Sequence, residues 1–480
     1  MEVRVVFFDI SKAFDKVWHI GLLYKLRRAG IQGDLHQWFS DYLSSRHQKV
    51  VLPGATSNLS LVSAGVPQGS ILGPLLFLIY INDIVSDIGS NINLFADDTS
   101  LYMVVHSPDV AAIQIQSDIE KISKRADTWL VKFNPSKSES LVVSRKVNKP
   151  VHPQLLMDDF PIPTVVVHKP LGCLLSNDGS WHDNIGYIKE RAWSRVHVLR
   201  KLKFVLDRKA LEVAYFSFVR PILEYSDVVW DNCFGYEKDE LDKIQHEAAR
   251  IVSGCTKLVS IADLYSEVGW ESLRERRRKH KLILFYKMVN GIVPLQLSNL
   301  VPPTVGDTSG YPGLRNSSNI NTLPSRTALY SNPFLPSTIR DWNSLSLDVR
   351  NSDSVDSFRR SLNRDKPNQE PLFYIGDRKL QVLHTRLRTR CSALNQHLFA
   401  KNLVDSPLCI CGAAETTKHF LLECPNFAGC RQVMFDSISD ICTPDVDTFL
   451  YGSRNLSPAM NQSVFLSVQR FIADSKRFDA

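Results

Sequence analysis

The sequence predicts an α+β domain, followed by a long helical region and a small basic region with closely spaced cysteines. Strand-like and helix-like patterns alternate up to about residue 175, and helical spacing of apolar residues then runs over residues 182–290. Four of the nine cysteines fall after Leu408 and before Arg431. Of the 480 residues, 44% are hydrophobic and 22% are charged. This composition is typical of globular proteins and excludes a wholly disordered chain, a collagen and a coiled-coil rod.

The α+β domain opens with a strand. Residues 3–8 are β-branched and aromatic apart from Arg4, which predicts a buried strand. The spacing of apolar residues and the positions of Gly and Pro predict the elements that follow. They are a helix over residues 11–28, a helix over 36–43, a hairpin of 48–52 with 59–63, a helix over 71–84, two strands within 92–105, a helix over 111–130 and a strand over 139–144.

The chain is mildly basic. It has 57 Lys and Arg against 50 Asp and Glu, a net charge of +7, which permits a polyanionic partner but serves solubility equally well. Two basic clusters favour nucleic acid, although a solvated helix face would carry the same residues. The first is the run over residues 274–281, and the second consists of Arg378, Lys379, Arg386, Arg388 and Arg390.

No segment predicts a membrane span or a secretory signal. The longest apolar stretch, residues 71–81, contains Gly73 and Pro74 and is too short to cross a bilayer. The N-terminus runs directly into the first strand instead of a signal peptide. Nine cysteines in 480 residues are also too few for a disulfide-based scaffold. We therefore expect an intracellular protein without a membrane partner, and the sequence does not separate nucleus from cytoplasm.

Three aspartates stand at strand ends of the predicted sheet. Asp9 ends the first strand, and Asp97 and Asp98 lie between two apolar strands. Two adjacent carboxylates repel each other unless a cation separates them, and Mg²⁺ prefers oxygen ligands. If the first strand neighbours the hairpin, three carboxylates meet and could hold two metal ions for phosphoryl transfer. A solvated turn, such as that of Asp158 and Asp159, and a helix start at Asp9 are the alternatives.

Three sequence motifs carry a resemblance to a known family. They are FDISKAFD at residues 8–15, GVPQGS at 65–70 and FADD at 95–98. In this order and spacing the chain resembles the reverse transcriptases of non-long-terminal-repeat retrotransposons, in particular the jockey-like LINE elements. The resemblance continues to the terminal cysteines through residues 129–137, 169–172, 332–336 and 342–343.

The resemblance implies a fold and a division of the chain. Residues 1–178 would be a right-hand polymerase palm, an antiparallel sheet with packed helices, whose fingers are largely missing. Residues 179–295 would be a helical thumb and residues 296–371 an irregular linker. Residues 372–480 would be a basic C-terminal region with a zinc knuckle. Because the family's fingers precede the first catalytic strand, we expect a truncated chain that polymerises inefficiently.

The resemblance also implies catalytic roles. Asp9 and Asp97 would bind two Mg²⁺ ions directly, supported by Asp98, and the ions would activate a primer 3′-hydroxyl and hold the incoming triphosphate. Lys137 matches a lysine that protonates pyrophosphate. A solvated lysine is the alternative at that position.

Six further residues would contact the substrates. The aromatic ring of Phe14 would exclude a 2′-hydroxyl, although plain core packing of a helix explains it too. A Gly-rich loop would approach the template base and nucleotide closely, although an ordinary turn has the same composition. A later segment would lie at the primer terminus, with a strand end as its alternative. The loop residues are Pro67, Gln68 and Gly69, and the primer-terminus residues are Leu171 and Gly172.

The C-terminal cysteines have the spacing of a metal site. Cys409, Cys411, His419 and Cys424 form the pattern C-x-C-x₇-H-x₄-C, and three thiols with one imidazole suit a structural Zn²⁺. Buried thiols without metal are the alternative, and Cys430 is a candidate substitute ligand. The jockey-like family carries a similar cluster, which favours zinc. Such a knuckle would bind RNA or target DNA.

The sequence thus predicts an RNA-directed DNA polymerase that adds deoxynucleotides to a primer. Its partners would be an RNA template, a DNA primer or target DNA, and deoxynucleoside triphosphates, with the oligomeric state left open. The first alternative is a catalytically dead relic or co-opted scaffold that binds nucleic acid. The second is a nuclease, for which Pro444-Asp445 lacks a downstream acid-x-Lys partner.

Overall fold

The computed structural model describes residues 2–311, 316–364 and 371–479. The chain divides into two compact units, Met1–Asn184 and Ile185–Ala480. The first boundary expected from the sequence, after residue 178, falls close to this division. The expected divisions after residues 295 and 371 stay predictions. Within the described residues, every helix is too short or too polar to cross a bilayer.

The first unit contains all thirteen strands of the described residues. They are β1 (Glu2–Phe8), β2 (Arg46–Gln48), β3 (Val51–Leu52), β4 (Ala55–Thr56), β5 (Ser60–Val62), β6 (Asn91–Phe95), β7 (Asp98–Val105), β8 (Glu139–Ser144), β9 (Leu156–Met157), β10 (Phe160–Pro161), β11 (Thr164–Val165), β12 (Val167–His168) and β13 (Leu175–Ser176). The main sheet has the order β11-β8-β1-β7-β6. Its pairs are antiparallel except β11 with β8, so the antiparallel sheet predicted from the sequence is confirmed.

Four α-helices accompany this sheet. They are α1 (His19–Arg28), α2 (Gly33–Leu43), α3 (Leu72–Ile81) and α4 (Pro108–Thr128). One continuous core joins the sheet to the helices, and Val6 of β1, Leu76 of α3 and Ile115 of α4 are fully buried in it. Burial of these apolar side chains is the main force that fixes β1 against the helices.

The predicted helix over residues 11–28 is wrong in its first half. Residues Phe14–Lys16 form one 3₁₀ turn, and Val17 is extended before α1 begins. The carbonyl groups of Phe14 and Val17 accept hydrogen bonds from the backbone N–H groups of Val66 and Gly65. These carbonyls therefore bond to a distant loop instead of to a continuing helix, which apolar spacing alone does not reveal.

The second unit is helical, as the spacing over residues 182–290 predicts for its first part. Its helices, counting α5 at the division, are α5 (His182–Leu202), α6 (Arg208–Ala214), α7 (Arg220–Glu224), α8 (Asp227–Trp230), α9 (Gly235–Ser253), α10 (Ile261–Val268), α11 (Leu273–Val289), α12 (Leu295–Ser298), α13 (Val305–Ser309), α14 (Ala328–Ser331), α15 (Phe334–Asn343), α16 (Leu347–Arg350), α17 (Val355–Leu362), α18 (Arg378–Arg388), α19 (Asn395–Phe399), α20 (Ala428–Ile438), α21 (Val446–Tyr451) and α22 (Pro458–Asp474).

The described part of the expected linker is packed, not loose. Ile339 and Trp342 are buried in one cluster with Phe285 and Phe358. The Trp342 ring lies 5.4 Å from that of Phe285 and 5.8 Å from that of Phe358, measured between centroids. Apolar anchors in a Pro- and Ser-rich stretch therefore dock α15 and α17 onto α11.

The basic run at residues 274–281 is mostly paired inside the protein, contrary to the expected contact with nucleic acid. Arg277 is only 1% exposed, and its Nε lies 3.1 Å from Asp231. The Lys281 ammonium lies 2.6 Å from the same aspartate. Arg276 pairs with Glu224. Charges this buried need partners, and acidic residues distant in sequence supply them.

Candidate active site and candidate metal centre

The strand register brings Asp9 and Asp98 together. Strands β1 and β7 are antiparallel neighbours, and their last pair is Phe8 with Thr99. One step further, the same register sets Asp9 opposite Asp98 on the same face of the sheet. Asp97 lies beside them in the tight turn between β6 and β7, where Phe95 pairs with Asp98. The acidic hairpin therefore lies next to the strand that ends at Asp9.

The charges of these aspartates act on one another. Partial burial raises the pKa of Asp98, and the negative charges of Asp97 and Asp9 raise it further. The imidazole of His168 opposes this shift in the Asp98 pKa. Asp98 is thus crowded by like charges, as expected where carboxylates share a cation site.

A cavity of about 490 Å³ lies over this edge of the sheet. Residues from four separate segments line it: the end of β1, the hairpin of β6 and β7, Lys137 just before β8, and the segment around the 3₁₀ turn Pro170–Gly172. The lining residues relevant to chemistry are Asp9, Asp98, Lys137, His168 and Leu171. Four of the residues selected from the sequence therefore meet at one cavity, although they are distant along the chain.

His168 is a cavity residue that the sequence did not single out. Its ring stacks on Phe7 with the centroids 3.7 Å apart. Its Nδ1 lies 2.6 Å from the Glu139 carboxylate. Phe7 belongs to β1 and Glu139 to β8, two neighbouring strands of the main sheet. The imidazole is therefore held against β1, the strand that Asp9 follows. Nothing in the local pattern around His168 predicts these contacts, because each partner is distant in sequence.

The Gly-rich loop is attached to the segment that follows Asp9. The N–H groups of Gly65 and Val66 bond to Val17 and Phe14 carbonyls at 2.8 Å. Gly65 has a φ of +93°, and a Cβ there would lie 2.7 Å from the Asp15 carbonyl oxygen. Only glycine tolerates both the positive φ and the close approach of the Asp15 backbone, which explains why residue 65 is a glycine.

Phe14 and the loop form a second group beside the cavity lining. The half-buried ring of Phe14 stacks on Phe77 with a centroid separation of 4.5 Å, so core packing accounts for part of its role. Gln68 is exposed and donates a hydrogen bond to Asp15. Pro67 is half-buried and Gly69 is exposed with a φ of +80°. Among the described residues, none of these loop residues lines the cavity at Asp9.

The C-terminal cysteines and histidine form a compact cluster. The ligand atoms of Cys409, Cys411, His419 and Cys424 all lie within 4.8 Å of one another. The Cys411 Sγ is 3.1 Å from His419 Nε2, and the Cys409 Sγ is 3.7 Å from that of Cys424. In the described ranges this is the one place where three or more His, Cys, Asp or Glu residues gather so closely. Three sulfur atoms and one nitrogen are a donor set that fits Zn²⁺.

The local backbone explains why these four residues meet. Gly412 has a φ of +88° and turns the chain sharply after Cys411. His419 begins a single π-helical turn, His419–Glu423, and Cys424 follows it directly. Phe420 is fully buried below this turn. Cys430 lies apart from the cluster, with its thiol against the Asp474 carbonyl, so it is not a substitute ligand.

Two thiols of the cluster have opposite pKa shifts. Hydrogen bonding from the backbone at Ala413 lowers the pKa of Cys411. Burial raises the pKa of Cys424 to about 11. A metal ligand must be the thiolate, so an ion bound here would displace protons, and binding would weaken as the pH falls.

Comparison with known proteins agrees with the geometry of the first unit. Residues 2–169 match the family model described as reverse transcriptase (RNA-dependent DNA polymerase). The chain is 29% identical over 285 residues to the probable RNA-directed DNA polymerase from transposon X-element of Drosophila melanogaster, covering 57% of this chain and 31% of that protein. It is 26% identical over 283 residues to the RNA-directed DNA polymerase from mobile element jockey of the same species, covering 56% and 30%.

A third relative gives the same result. The probable RNA-directed DNA polymerase from transposon BS of Drosophila melanogaster is 24% identical over 288 residues, covering 58% of this chain and 32% of that protein. This chain thus spans about a third of the length of the curated relatives it matches. The resemblance to the jockey-like family is confirmed, and residues 2–169 match the reverse transcriptase family.

Proposed function

We propose that this chain is an RNA-directed DNA polymerase that transfers deoxynucleotides onto a primer 3′-hydroxyl. The observation that carries the proposal is the placement of Asp9 and Asp98 on facing strand positions at one edge of a cavity. Asp97 directly precedes Asp98 in the turn between β6 and β7 and is not among the residues that line the cavity. Asp9 and Asp98 come from two neighbouring chain segments, and Asp97 adds a third carboxylate next to them in sequence. The template would be RNA and the primer DNA, by analogy with the names of the relatives.

The three carboxylates are the residues that would hold magnesium. Carboxylate oxygens are hard ligands suited to Mg²⁺, and the crowding that raises the Asp98 pKa is what a divalent cation relieves. When bound, magnesium lowers the pKa of a primer hydroxyl and neutralises triphosphate charge. The resemblance assigns direct binding to Asp9 and Asp97, whereas the strand register favours Asp98 as the partner of Asp9.

The chain's own residues would then orient the substrates. The exposed Lys137 ammonium, at the cavity, would give a proton to departing pyrophosphate. Leu171 and Gly172 would set backbone beside the primer terminus. Gln68 would contact the incoming nucleotide, together with Pro67 and Gly69 of its loop, and the Phe14 ring would restrict its sugar.

Zinc would have a structural role in the second unit. Cys409, Cys411, His419 and Cys424 would complete a four-coordinate site, and such a site leaves no position open for substrate. We assign to this knuckle, and to the helical region before it, contacts with RNA or target DNA. These contacts would complement the chemistry of the first unit.

Primer extension with Mg²⁺, an RNA template and deoxynucleotides tests the proposal. Asp9→Asn, Asp97→Asn and Asp98→Asn should each reduce incorporation at least about a hundredfold, because each removes a charge from the proposed metal site. Asp158→Asn with Asp159→Asn is the matched control, since this exposed acidic pair lies in another turn. Nucleic-acid binding with no incorporation by the unaltered chain would instead support the scaffold alternative.

A further inference from the structure

A second cavity, of about 610 Å³, lies wholly within the second unit. Its walls come from the segment just after α5, the C-terminal end of α9, and α18. We call it the α9–α18 groove and define it by Lys203, Phe204, Arg250, Lys257, Arg378 and Arg386. No role derived for the zinc cluster or for the aspartates involves these residues.

The groove is strongly positive. Its lining contains six Lys or Arg residues and a single acidic residue, Glu247. Such an excess stands out in a chain with 57 basic and 50 acidic residues. By contrast, the basic run at residues 274–281 is paired internally. The groove therefore brings more basic than acidic side chains to one cavity.

Part of the positive charge holds the fold together. Arg378 donates hydrogen bonds to the Ile251 and Val252 carbonyls, and Arg386 donates one to the Gly254 carbonyl. These carbonyls end α9, where the helix dipole favours a cation. Burial lowers the pKa of Arg378 to about 10, so it is still charged at neutral pH.

Two lysines of the groove are left for a ligand. Lys203 follows α5, and Lys257 follows α9 and is exposed. Among the described residues, neither ammonium has a carboxylate within 4.0 Å, unlike Lys379, which pairs with Asp479 at 2.9 Å. Cations without a carboxylate partner on two walls of one groove suit a ligand with regularly spaced negative charges.

An exposed aromatic ring, Phe204, lies beside Lys203 and lines the same groove as Lys257. The Phe204 side chain is 81% exposed, and the Lys203 ammonium lies 4.8 Å from its ring centroid. At the groove, the chain at Gly254 packs closely against the apolar side chain of Val382 in α18. A Cβ on Gly254 would lie 2.4 Å from Val382 Cγ2. An exposed aromatic ring next to a cation offers a stacking surface for an unpaired base.

We propose that the α9–α18 groove binds a single-stranded segment of nucleic acid, with phosphates on Lys203 and Lys257 and a base stacked on Phe204. A base-paired duplex would satisfy the lysines but leave Phe204 without a stacking partner. An acidic peptide would likewise use the charges and not the ring. The inference deepens the proposed function, because it names where the polymerase would hold unpaired template or substrate outside the catalytic unit.

The test is fluorescence anisotropy of the full chain with a labelled single-stranded RNA, over a range of salt concentrations. Lys203→Glu with Lys257→Glu should weaken binding at least tenfold, and the slope of log K against log salt should fall by about 1.4 for two lost phosphate contacts. Phe204→Ala should weaken binding at least about fivefold with the salt slope unchanged.

Matched variants separate the groove from general charge. Lys401→Glu with Arg454→Glu makes the same charge change at two exposed positions of the second unit, and Phe218→Ala removes another ring that is 65% exposed. These variants should bind RNA nearly as the unaltered chain does. Circular dichroism and thermal unfolding should show every variant folded. A variant that unfolds is replaced by the corresponding substitution to Gln or Leu.

Three results would overturn the inference. One is unchanged affinity in the Lys203 and Lys257 double variant, and another is an equal loss in the Lys401 and Arg454 control. The third is duplex RNA or polyglutamate binding as tightly as single-stranded RNA, with Phe204→Ala having no effect. Asp97→Asn should abolish primer extension and leave this binding unchanged, so the groove and the polymerase proposal can fail separately.

Discussion

The side-chain amide of Gln68 donates a hydrogen bond to the Asp15 carboxylate, with 2.8 Å between Nε2 and Oδ1. This contact joins the Gly-rich loop to the segment after Asp9, alongside the backbone bonds from Gly65 and Val66. The bond uses one of the two amide N–H groups, so the second N–H and the carbonyl oxygen of Gln68 are held in a fixed orientation. Asp15 therefore orients the Gln68 amide toward any nucleotide that contacts it.

Asp15→Ala should raise the KM for deoxynucleotides about three- to tenfold, with a smaller change in kcat. The substitution removes one hydrogen bond worth about 1 kcal/mol and lets the Gln68 amide rotate. Asp41→Ala is the matched control, because Asp41 accepts an equivalent bond from exposed Gln37 at 3.1 Å. Steady-state primer extension measures both variants. An unchanged KM in Asp15→Ala would show that the contact does not orient Gln68.

Gly65→Ala should destabilise the loop and reduce polymerisation more than tenfold. A Cβ at Gly65 would collide with the backbone of Asp15, and its φ of +93° is unfavourable for alanine. Gly30→Ala provides the control, since Gly30 has the same φ of +93° but no neighbour within 4 Å. We expect a loss of about 1–2 kcal/mol in Gly30→Ala from the left-handed backbone alone.

Comparison of the two glycine variants isolates the effect of close approach. Urea denaturation gives the free energy of unfolding for each, and primer extension gives the activity. Gly65→Ala should lose more stability than Gly30→Ala and should lose activity as well. Equal losses of stability and of activity in the two variants would mean that packing of the loop against the Asp15 backbone does not contribute to activity.

Removal of zinc should unfold the C-terminal part of the second unit. Cys424→Ser, or a strong chelator, should abolish zinc content and lower the Tm, because a structural metal contributes directly to folding. Cys430→Ser should keep the metal, since that thiol lies against the Asp474 carbonyl. Elemental analysis and calorimetry check both outcomes. Full zinc content in Cys424→Ser would contradict the assigned ligand set.

Acid should weaken the second unit through Glu267. Burial alone would raise the pKa of this carboxyl group, but Arg388 and Arg208 lower it to about 2. A lowered folded-state pKa means that Glu267 stabilises the fold above about pH 4.5, and this stability is lost as the pH falls from there toward 2. Both arginines are 2% exposed, so the pairs are well shielded from water.

Glu267→Gln should therefore lower stability at neutral pH by about 3–5 kcal/mol, because it leaves buried arginines uncompensated. It should also flatten the dependence of unfolding free energy on pH below about 4.5. Asp307→Asn is the control, since that carboxylate lies on the surface and only caps a short helix. Denaturation at several pH values distinguishes the two. An unchanged slope in Glu267→Gln would contradict this source of acid sensitivity.

Local patterns predicted those parts of the site whose residues are close in sequence. The strand before Asp9, the hairpin around Asp97 and the four metal-ligand candidates near the C-terminus each depend on a short stretch of chain. Alternation of apolar residues, or ligand spacing, is sufficient to recognise such stretches. The facing positions of Asp9 and Asp98 then follow from one antiparallel pair of strands.

Long-range contacts account for what the sequence did not predict. His168 lines the cavity because Phe7 and Glu139 hold it, and neither is near it along the chain. The segment before α1 is not helical because the loop at Gly65 takes its carbonyl groups. Arg277 is paired with Asp231 instead of facing nucleic acid. The periodicity of apolar residues predicts which face of a helix or strand is buried. It does not predict which distant residues pack against that face.

The most direct test of the polymerase assignment is Fe²⁺-directed backbone cleavage, with iron replacing magnesium. If Asp9 and the acidic pair share one metal site, hydroxyl radicals should cut the chain both near residue 9 and near residues 97–98. Excess Mg²⁺ should suppress both cuts, and Asp9→Asn should remove both together. Cleavage at only one of the two segments, or a cut near residue 97 that survives Asp9→Asn, would contradict a shared catalytic metal site.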